Sequence, residues 1–348
     1  MTAAFPPAPA PGDPIPLDVV GIGSPLVDVL SSVDEGTLAS LGLLRGSMAL
    51  VDLARAEEIY AAMGPTVEVS GGSAANTMAG VAALGGSAGF VGKIADDALG
   101  RAFVHDIRSA GVELRPAVAP LDRDGPESRG TGRCLVLVTG DAERTMATHL
   151  GAANTIGPAD VPGDLVARAR VLYLEGYLWD LGPAKEAMRK AMEIAHARDG
   201  SVALSLSDPY CVDRHRRELL DLVVTDVDVL FGNEEEICRL FDAPSLGAAL
   251  GLAEETGVLV AATRGARGSV VVTGQGLVEV PAAAVAEVVD TTGAGDLYAA
   301  GFLYGLTHGA GPEVAARLGS LCASEVVSHL GARPQHDLAG MARAAGLA

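Results

Sequence analysis

Asp290-Thr-Thr-Gly-Ala-Gly-Asp296 is the stretch on which the reading of this chain turns. It follows an apolar stretch, Val285 to Val289, that reads as a strand, and it opens an apolar run, Leu297 to Leu306, that reads as a helix. Gly293 and Gly295 lack a Cβ, so the backbone can turn sharply there and come close to a ligand. A helix start carries free N–H groups and the positive end of a macrodipole. Together these make an anion cradle. Asp296 falls in the first helical turn. From there a carboxylate can accept a hydroxyl proton while Gly293, Ala294 and Gly295 hold a transferring phosphoryl group. The plainer reading is a glycine turn with a helix-capping aspartate.

Further motifs lie at a distance. Gly71-Gly72-Ser73-Ala74-Ala75-Asn76 precedes an Ala/Gly-rich run, Thr77 to Leu84, of helical character. Its glycines let backbone amides reach a polar ligand, and Asn76 offers a donor and an acceptor; it reads equally as a loop before a tightly packed helix. Asp28 follows Gly21-Ile-Gly-Ser-Pro25. Pro25 and the missing third glycine speak against a dinucleotide fingerprint, which leaves Asp28 as a hydroxyl-binding carboxylate or a solvated loop acid. Asn233-Glu-Glu-Glu236 has the spacing of a capping box, and equally of an oxygen pair that holds Mg²⁺ through water. Thr263-Arg-Gly265-Ala-Arg-Gly268 joins two apolar strands as a hairpin, or supplies a nucleotide contact through Thr263 and the glycine backbone. Arg144, in a strand-like segment, is either solvated or a clamp on phosphate. Tyr177 and Trp179, after the strand Val171–Leu174, either wall a ligand or belong to the core.

Composition narrows the chemistry. The 348 residues carry 25 basic and 44 acidic side chains, a net charge of −19, which repels nucleic acid and anionic membranes. Hydrophobic residues make up 49% and the mean hydropathy is +0.31, enough for a large core. No apolar run is long enough to span a bilayer. Only Lys93, Lys185 and Lys190 are lysines, and no G-x-x-x-x-G-K-[ST] motif is present, so a P-loop is excluded. Phosphate charge is left to Mg²⁺, backbone amides and arginine. Cys134, Cys211, Cys238 and Cys322 show no C-x-x-C pairing, as expected of free thiols in a cytoplasmic protein. No zinc site is expected, because neither cysteines nor histidines show ligand spacing. Met1 to Pro16, rich in Pro and Ala, reads as a disordered leader.

Apolar β-branched runs at Val171–Leu174, Val202–Leu206, Val227–Phe231, Val258–Ala262 and Val270–Thr273 alternate with helical segments such as Pro183 to Arg198. Such alternation predicts an α/β fold with a mainly parallel sheet covered by helices and ligands at the C-terminal strand ends. Residues 27–52 and 132–150 fit that scheme poorly. Cys134–Val138 and Arg144–His149 alternate like strands of a small β-sheet lid inserted into a domain of residues 17–348.

Taken together, the signature at Gly71, Gly72 and Asn76, the Asn233–Glu236 pair, the turn at Thr263 and Gly265, and Asp290 to Asp296 resemble the PfkB, ribokinase-like family of carbohydrate and nucleoside kinases, from about Leu17 to Pro334. The resemblance implies a three-layer α/β/α sandwich with a lid, use of ATP and Mg²⁺, Asp296 as base beside an anion hole, and acceptor hydroxyls near Asp28, Gly72 and Asn76. It implies a K⁺-type site at Asp290, Thr292 and Gly331. Within the family, Val20-Gly-Ile-Gly-Ser-Pro-Leu-Val-Asp28, Glu143-Arg-Thr-Met146 and Leu150-Gly-Ala152 look most like bacterial adenosine kinases. The expected reaction is transfer of the ATP γ-phosphoryl to a ribonucleoside hydroxyl, adenosine becoming AMP, by a monomer or a homodimer formed through the lid. A sugar kinase for ribose, fructose or 2-keto-3-deoxygluconate, a non-catalytic nucleoside-binding regulator and a dehydrogenase are the alternatives.

Overall fold

The computed structural model describes residues 16–119, 130–141 and 143–347. The expected leader lies outside these, apart from Pro16. Nine strands form the central sheet, in the order Gly276–Val280, Ser269–Thr273, Leu259–Thr263, Val229–Asn233, Ser201–Ser205, Ala169–Glu175, Leu17–Ile22, Ala88–Val91 and Glu113–Leu114. The seven from Leu259–Thr263 onward run parallel. The other two continue the edge as antiparallel hairpin strands.

The apolar runs of the parallel strands follow from burial on both faces. Alternation sends Val20, Ile22, Leu172, Leu174, Leu204, Leu230 and Val260 to one face. There they meet Ala187 and Met188 of the helix Gly182–His196, Val212 and Leu219 of Pro209–Thr225, and Ala249 of Leu246–Thr256. Val19, Val171, Tyr173, Ala203, Val229, Phe231 and Ala261 face the other way. They pack on Met78 of the helix Ser73–Ala83, Leu297 and Phe302 of Ala294–Thr307, and Cys322 of Pro312–Val326. The ribokinase-like three-layer sandwich is therefore present.

A second sheet of five strands stands beside it, in the order Met48–Leu50, Arg144–His149, Gly132–Val138, Leu26–Ser32 and Val67–Gly71. The last lies outside the two segments expected to build the lid. Val67 and Glu68 at its start are exposed, so it lacks an apolar run that would mark it. Val29, Leu135, Leu137 and Ala147 turn to a small core of their own with Leu38 and Ile59 from two short helices. The neighbouring positions Asp28, Cys134, Val136, Arg144, Met146 and Thr148 turn the other way, toward a cleft.

One element departs from the sequence reading. Val285 to Val289 form no strand. The sheet edge is occupied by the hairpin, and this segment is tied instead to the C-terminus of the helix Pro312–Val326, where the N–H groups of Val289 and Asp290 donate to Val327 O at 2.8 and 3.3 Å. Its valines are apolar for another reason: Val288 and Val289 line the cleft.

The helices Ala294–Thr307 and Pro312–Val326 pack backbone to backbone. A Cβ on Gly301 would lie 2.5 Å from Leu318 O, and one on Gly319 would lie 2.6 Å from Tyr298 O. Gly301→Val is expected to lower unfolding free energy by about 1–3 kcal/mol, as overpacking does. Gly251→Ala, on an exposed helix face with open space around it, is expected to raise it by about 0.8 kcal/mol from helix propensity alone. Urea midpoints of the two variants against wild type check both signs.

Candidate active site

A cleft of about 830 Å³ opens between the lid sheet and the C-terminal ends of the central strands, where a parallel sheet places its ligands. Its floor is the start of the helix Ala294–Thr307. Gly293 caps that helix with φ of +79°, and a Cβ there would lie 2.7 Å from Ala332 Cβ. Only glycine fits both the left-handed backbone and that contact. Gly295 has an ordinary helical φ and nothing within 4 Å of an added Cβ. Its lack of a side chain keeps cleft space open rather than relieving strain.

Asp296 sits in the first turn, half-buried, with both oxygens engaged. Ser73 Oγ donates to Oδ1 at 2.7 Å, and Asn76 Nδ2 donates to Oδ2 at 3.0 Å. Desolvation pushes its pKa above the usual carboxylate value, against the pull of these two bonds. The Gly71–Asn76 loop is thus tied to a residue more than 200 positions away. Gly72 reaches that loop geometry with φ of +96°, where a Cβ would lie 2.2 Å from Ser24 O. A Cβ on Gly71 would lie 2.4 Å from Asp28 Oδ2. Gly71 itself is not part of the cleft wall; it makes room for Asp28, which is. Burial pushes Asp28 up to about 7, while Arg144 and Arg333 pull it down.

Above the anion loop, Asp290 is buried and fully engaged. It pairs with Arg144, and its oxygens accept the N–H groups of Thr292 at 2.9 Å and Gly331 at 2.8 Å. Arg144 is therefore buried rather than solvated, and it lines the cleft with Nη2 turned to Asp290. The positions expected to hold K⁺ come together through the N–H groups of Thr292 and Gly331 on the Asp290 carboxylate, which already has a cationic partner.

At the far end, Asn233 and Glu236 form the capping box. Asn233 Oδ1 accepts the Glu236 N–H at 2.9 Å, and Glu236 accepts from Asn233 N at 2.9 Å and Asn233 Nδ2 at 2.8 Å. Glu236 also lines the cleft, and burial pushes it up to about 7. Each of its oxygens has one protein donor and keeps a second lone pair, so the donor set fits a water-mediated Mg²⁺. Thr263 lines the cleft beside Asn233, whereas Gly265 and Gly268 stay in the hairpin turn behind it. A Cβ on Gly268 would lie 2.0 Å from Val280 O, which accounts for that glycine on packing grounds.

The two aromatics part company. Tyr177 lines the cleft and its hydroxyl donates to Ser207 O at 3.2 Å. Trp179 does not reach the cleft. It is fully buried in the core on the opposite face of the sheet, donating from Nε1 to Glu218 at 3.1 Å under the cations of Lys185 and Arg189. The two-residue spacing, which would share a face on a strand, falls here on a 3₁₀ turn.

Three residues of the site escaped the sequence reading. Ser73 lay inside the quoted Gly71–Asn76 motif. Glu175 opens the segment singled out for its aromatics. Its buried carboxylate accepts the N–H groups of Ser24 at 2.8 Å and Ala74 at 2.9 Å, joining the loops after two strands, and burial pushes it up to about 7. Arg333 carried no signal in the sequence. It lies 3.5 Å from Asn76 Oδ1 and over the Phe103 ring, and its burial lowers its pKa to about 10.

Residues 43–337 match the description of the pfkB family carbohydrate kinases. Adenosine kinase of Saccharomyces cerevisiae is 29% identical over 335 residues, covering 90% of this chain and 95% of that protein. The 5-dehydro-2-deoxygluconokinase of Halalkalibacterium halodurans is 32% identical over 267 residues, covering 74% and 79%. Among solved structures, adenosine kinase from Sinorhizobium meliloti superposes with a TM-score of 0.88 at 46% identity, spanning 94% of this chain and 99% of the other. With the sandwich and its smaller sheet in place and the family match over residues 43–337, this chain belongs to the pfkB family of sugar and nucleoside kinases.

Proposed function

We propose that this kinase transfers the γ-phosphoryl group of ATP to a primary hydroxyl of a ribonucleoside, adenosine. One observation carries the choice of acceptor. Met48, Val136 and Met146, with Leu26 and Leu50 at the margins, give the lid side of the cleft an apolar wall, while Asp28 and Asn76 lie in the same cleft. A nucleoside presents a flat apolar base and a polyol at opposite ends. A free sugar is polar throughout and leaves that wall without a partner. Tyr177 adds an aromatic face.

In this reading Asp28 and Asn76 bind the ribose hydroxyls. Asp296, aimed by Ser73 and Asn76, takes the acceptor's proton. The amides from Gly293 to Gly295 face the developing charge on the phosphoryl oxygens. Asn233 and Thr263 lie at the nucleotide end. Glu236 would hold Mg²⁺ through water, and the ion would supply charge neutralisation on the phosphate chain. The acidic residues around the cleft make that helix start essential, because few cations offset an ATP.

The sugar-kinase reading draws on the gluconate-type relative. Such an acid needs a cation for its carboxylate. Arg144 is committed to Asp290, and Arg333 stands behind the Asn76 loop beside Asp28 and Asp106. Using Arg144 for it would break a buried pair, and Arg333 is not among the residues that line the cleft.

Three outcomes are expected. With adenosine, ribose, fructose and 2-keto-3-deoxygluconate compared in a coupled ADP-release assay, kcat/KM is highest for adenosine. A tenfold advantage for any sugar would overturn the nucleoside reading, and absence of acceptor-dependent turnover would favour a binding regulator. Asp296→Asn should lower kcat by about 100-fold or more while ATP binding, measured by calorimetry, stays nearly unchanged. Gly295→Val should keep the wild-type melting temperature yet lose turnover, because its side chain projects into open cleft space rather than into protein; a melting temperature lowered in step with activity would contradict this.

A further inference from the structure

Outside the cleft, the chain beyond the helix Pro312–Val326 folds back on Glu325. Its carboxylate is 1% exposed. Oε1 accepts the backbone N–H groups of Gln335 and His336, both at 2.9 Å, and lies 3.1 Å from His329 Nε2 and 2.9 Å from His336 Nδ1. Oε2, equally buried, has no hydrogen-bond partner among the described residues. An orphaned carboxylate oxygen in a buried position is costly unless something cationic or protic meets it. One ligand atom from each of Glu325, His329 and His336 falls within 4.8 Å of the others.

The imidazole of His329 adds a second sign. Its Nδ1 lies 3.2 Å from Leu330 O, which can only accept. With Nδ1–H given to that carbonyl, Nε2 is the ring nitrogen that can take an ion. The two backbone amides occupy the Oε1 lone pairs, so the unpartnered Oε2 is the carboxylate atom left for that ion. The Leu330 carbonyl then serves as the outer partner that fixes the ring's tautomer and orientation. The Gln335 and His336 amides play the same part for Glu325.

We infer that Glu325, His329 and His336 form a binding site for a divalent transition-metal ion of the Zn²⁺ type, at the end of the helix Pro312–Val326 and apart from the nucleotide cleft. Two imidazoles and a carboxylate suit zinc, with water in the fourth position on the solvent side, where His336 is 64% exposed. At zinc–ligand bonds of about 2.1 Å, tetrahedral neighbours stand about 3.4 Å apart, inside the 4.8 Å span of the three ligand atoms. The sequence reading set zinc aside because it sought pairs of cysteines or histidines. Here the histidines are seven residues apart, and the carboxylate four residues before His329 supplies the third ligand. The ion would pin the segment that carries Gly331, whose N–H holds Asp290, and Arg333, which lies beside Asn76.

The test is calorimetric titration of chelator-stripped full-length protein with ZnCl₂, in a Cys238→Ser background that removes the partly exposed thiol. One site of about 1 µM dissociation constant or tighter is expected. His329→Ala/His336→Ala in the same background should weaken binding by about 100-fold or more. If circular dichroism shows that the double variant is unfolded, His336→Ala alone, at an exposed position, takes its place and should weaken binding at least tenfold. No saturable binding by the parent, or equal binding by parent and folded variant, overturns the site. Neither result depends on which acceptor the kinase uses.

Discussion

Asp290 is the point at which three separately encoded parts of this protein are joined. Its carboxylate is fully buried and meets a guanidinium from the lid, an amide from its own loop and an amide from the C-terminal segment. A buried charge of this kind is tolerated only while its partners stay in place. Lid position, anion-loop shape and the path of residues 328–336 are therefore not independent variables. Removing any one partner leaves a desolvated charge behind, and the cost falls on the site rather than on the core. The same logic recurs at Glu175, which ties the loop after the first strand to the loop that supports Asp296.

The cleft shows how a strongly acidic chain can bind a polyanion. Asp28, Glu175 and Glu236 are pushed up to about 7 by burial, and Asp296 is raised by the same cause. Local negative charge is thereby reduced near neutrality without any added cation. What remains for the phosphate chain is a helix start, whose amides carry no net charge and need no counter-ion. The scarcity of lysine is consistent with a site built from dipoles.

What was legible in the sequence was whatever obeys a local rule. The glycines and the acid of Asp290–Asp296 encode a turn and a helix start within seven residues. The parallel strands announce themselves by apolar runs, and the lid strands by alternation that sorts Leu135 and Leu137 from Cys134 and Val136. Val285 to Val289 misled because apolarity was taken for sheet membership, when the residues face a cleft. Tyr177 and Trp179 could not be told apart as ligand wall or core, because the 3₁₀ turn after the strand sends one to the cleft and the other to the core. Ser73, Glu175 and Arg333 act through partners 223, 151 and 257 residues distant. Nothing in their neighbourhoods in the sequence encodes those meetings, which exist only once the sheet order is set. The pairing of Glu325 with two histidines is hidden in the same way, by a loop that doubles back.

The glycine contacts between the helices Ala294–Thr307 and Pro312–Val326 bear on movement. Where two backbones touch, with Gly301 against Leu318 and Gly319 against Tyr298, there is little space into which either helix could slide. Such a joint is stiff along its axis. The helix that aims the anion loop and holds Asp296 is therefore a fixed anvil, set against its neighbour and the sheet beneath. Any closing over substrate must come from the other side, through the lid. The working distance between acceptor and phosphate is then set by how far a thin sheet descends, and the carboxylate proposed as base need not travel to meet either of them.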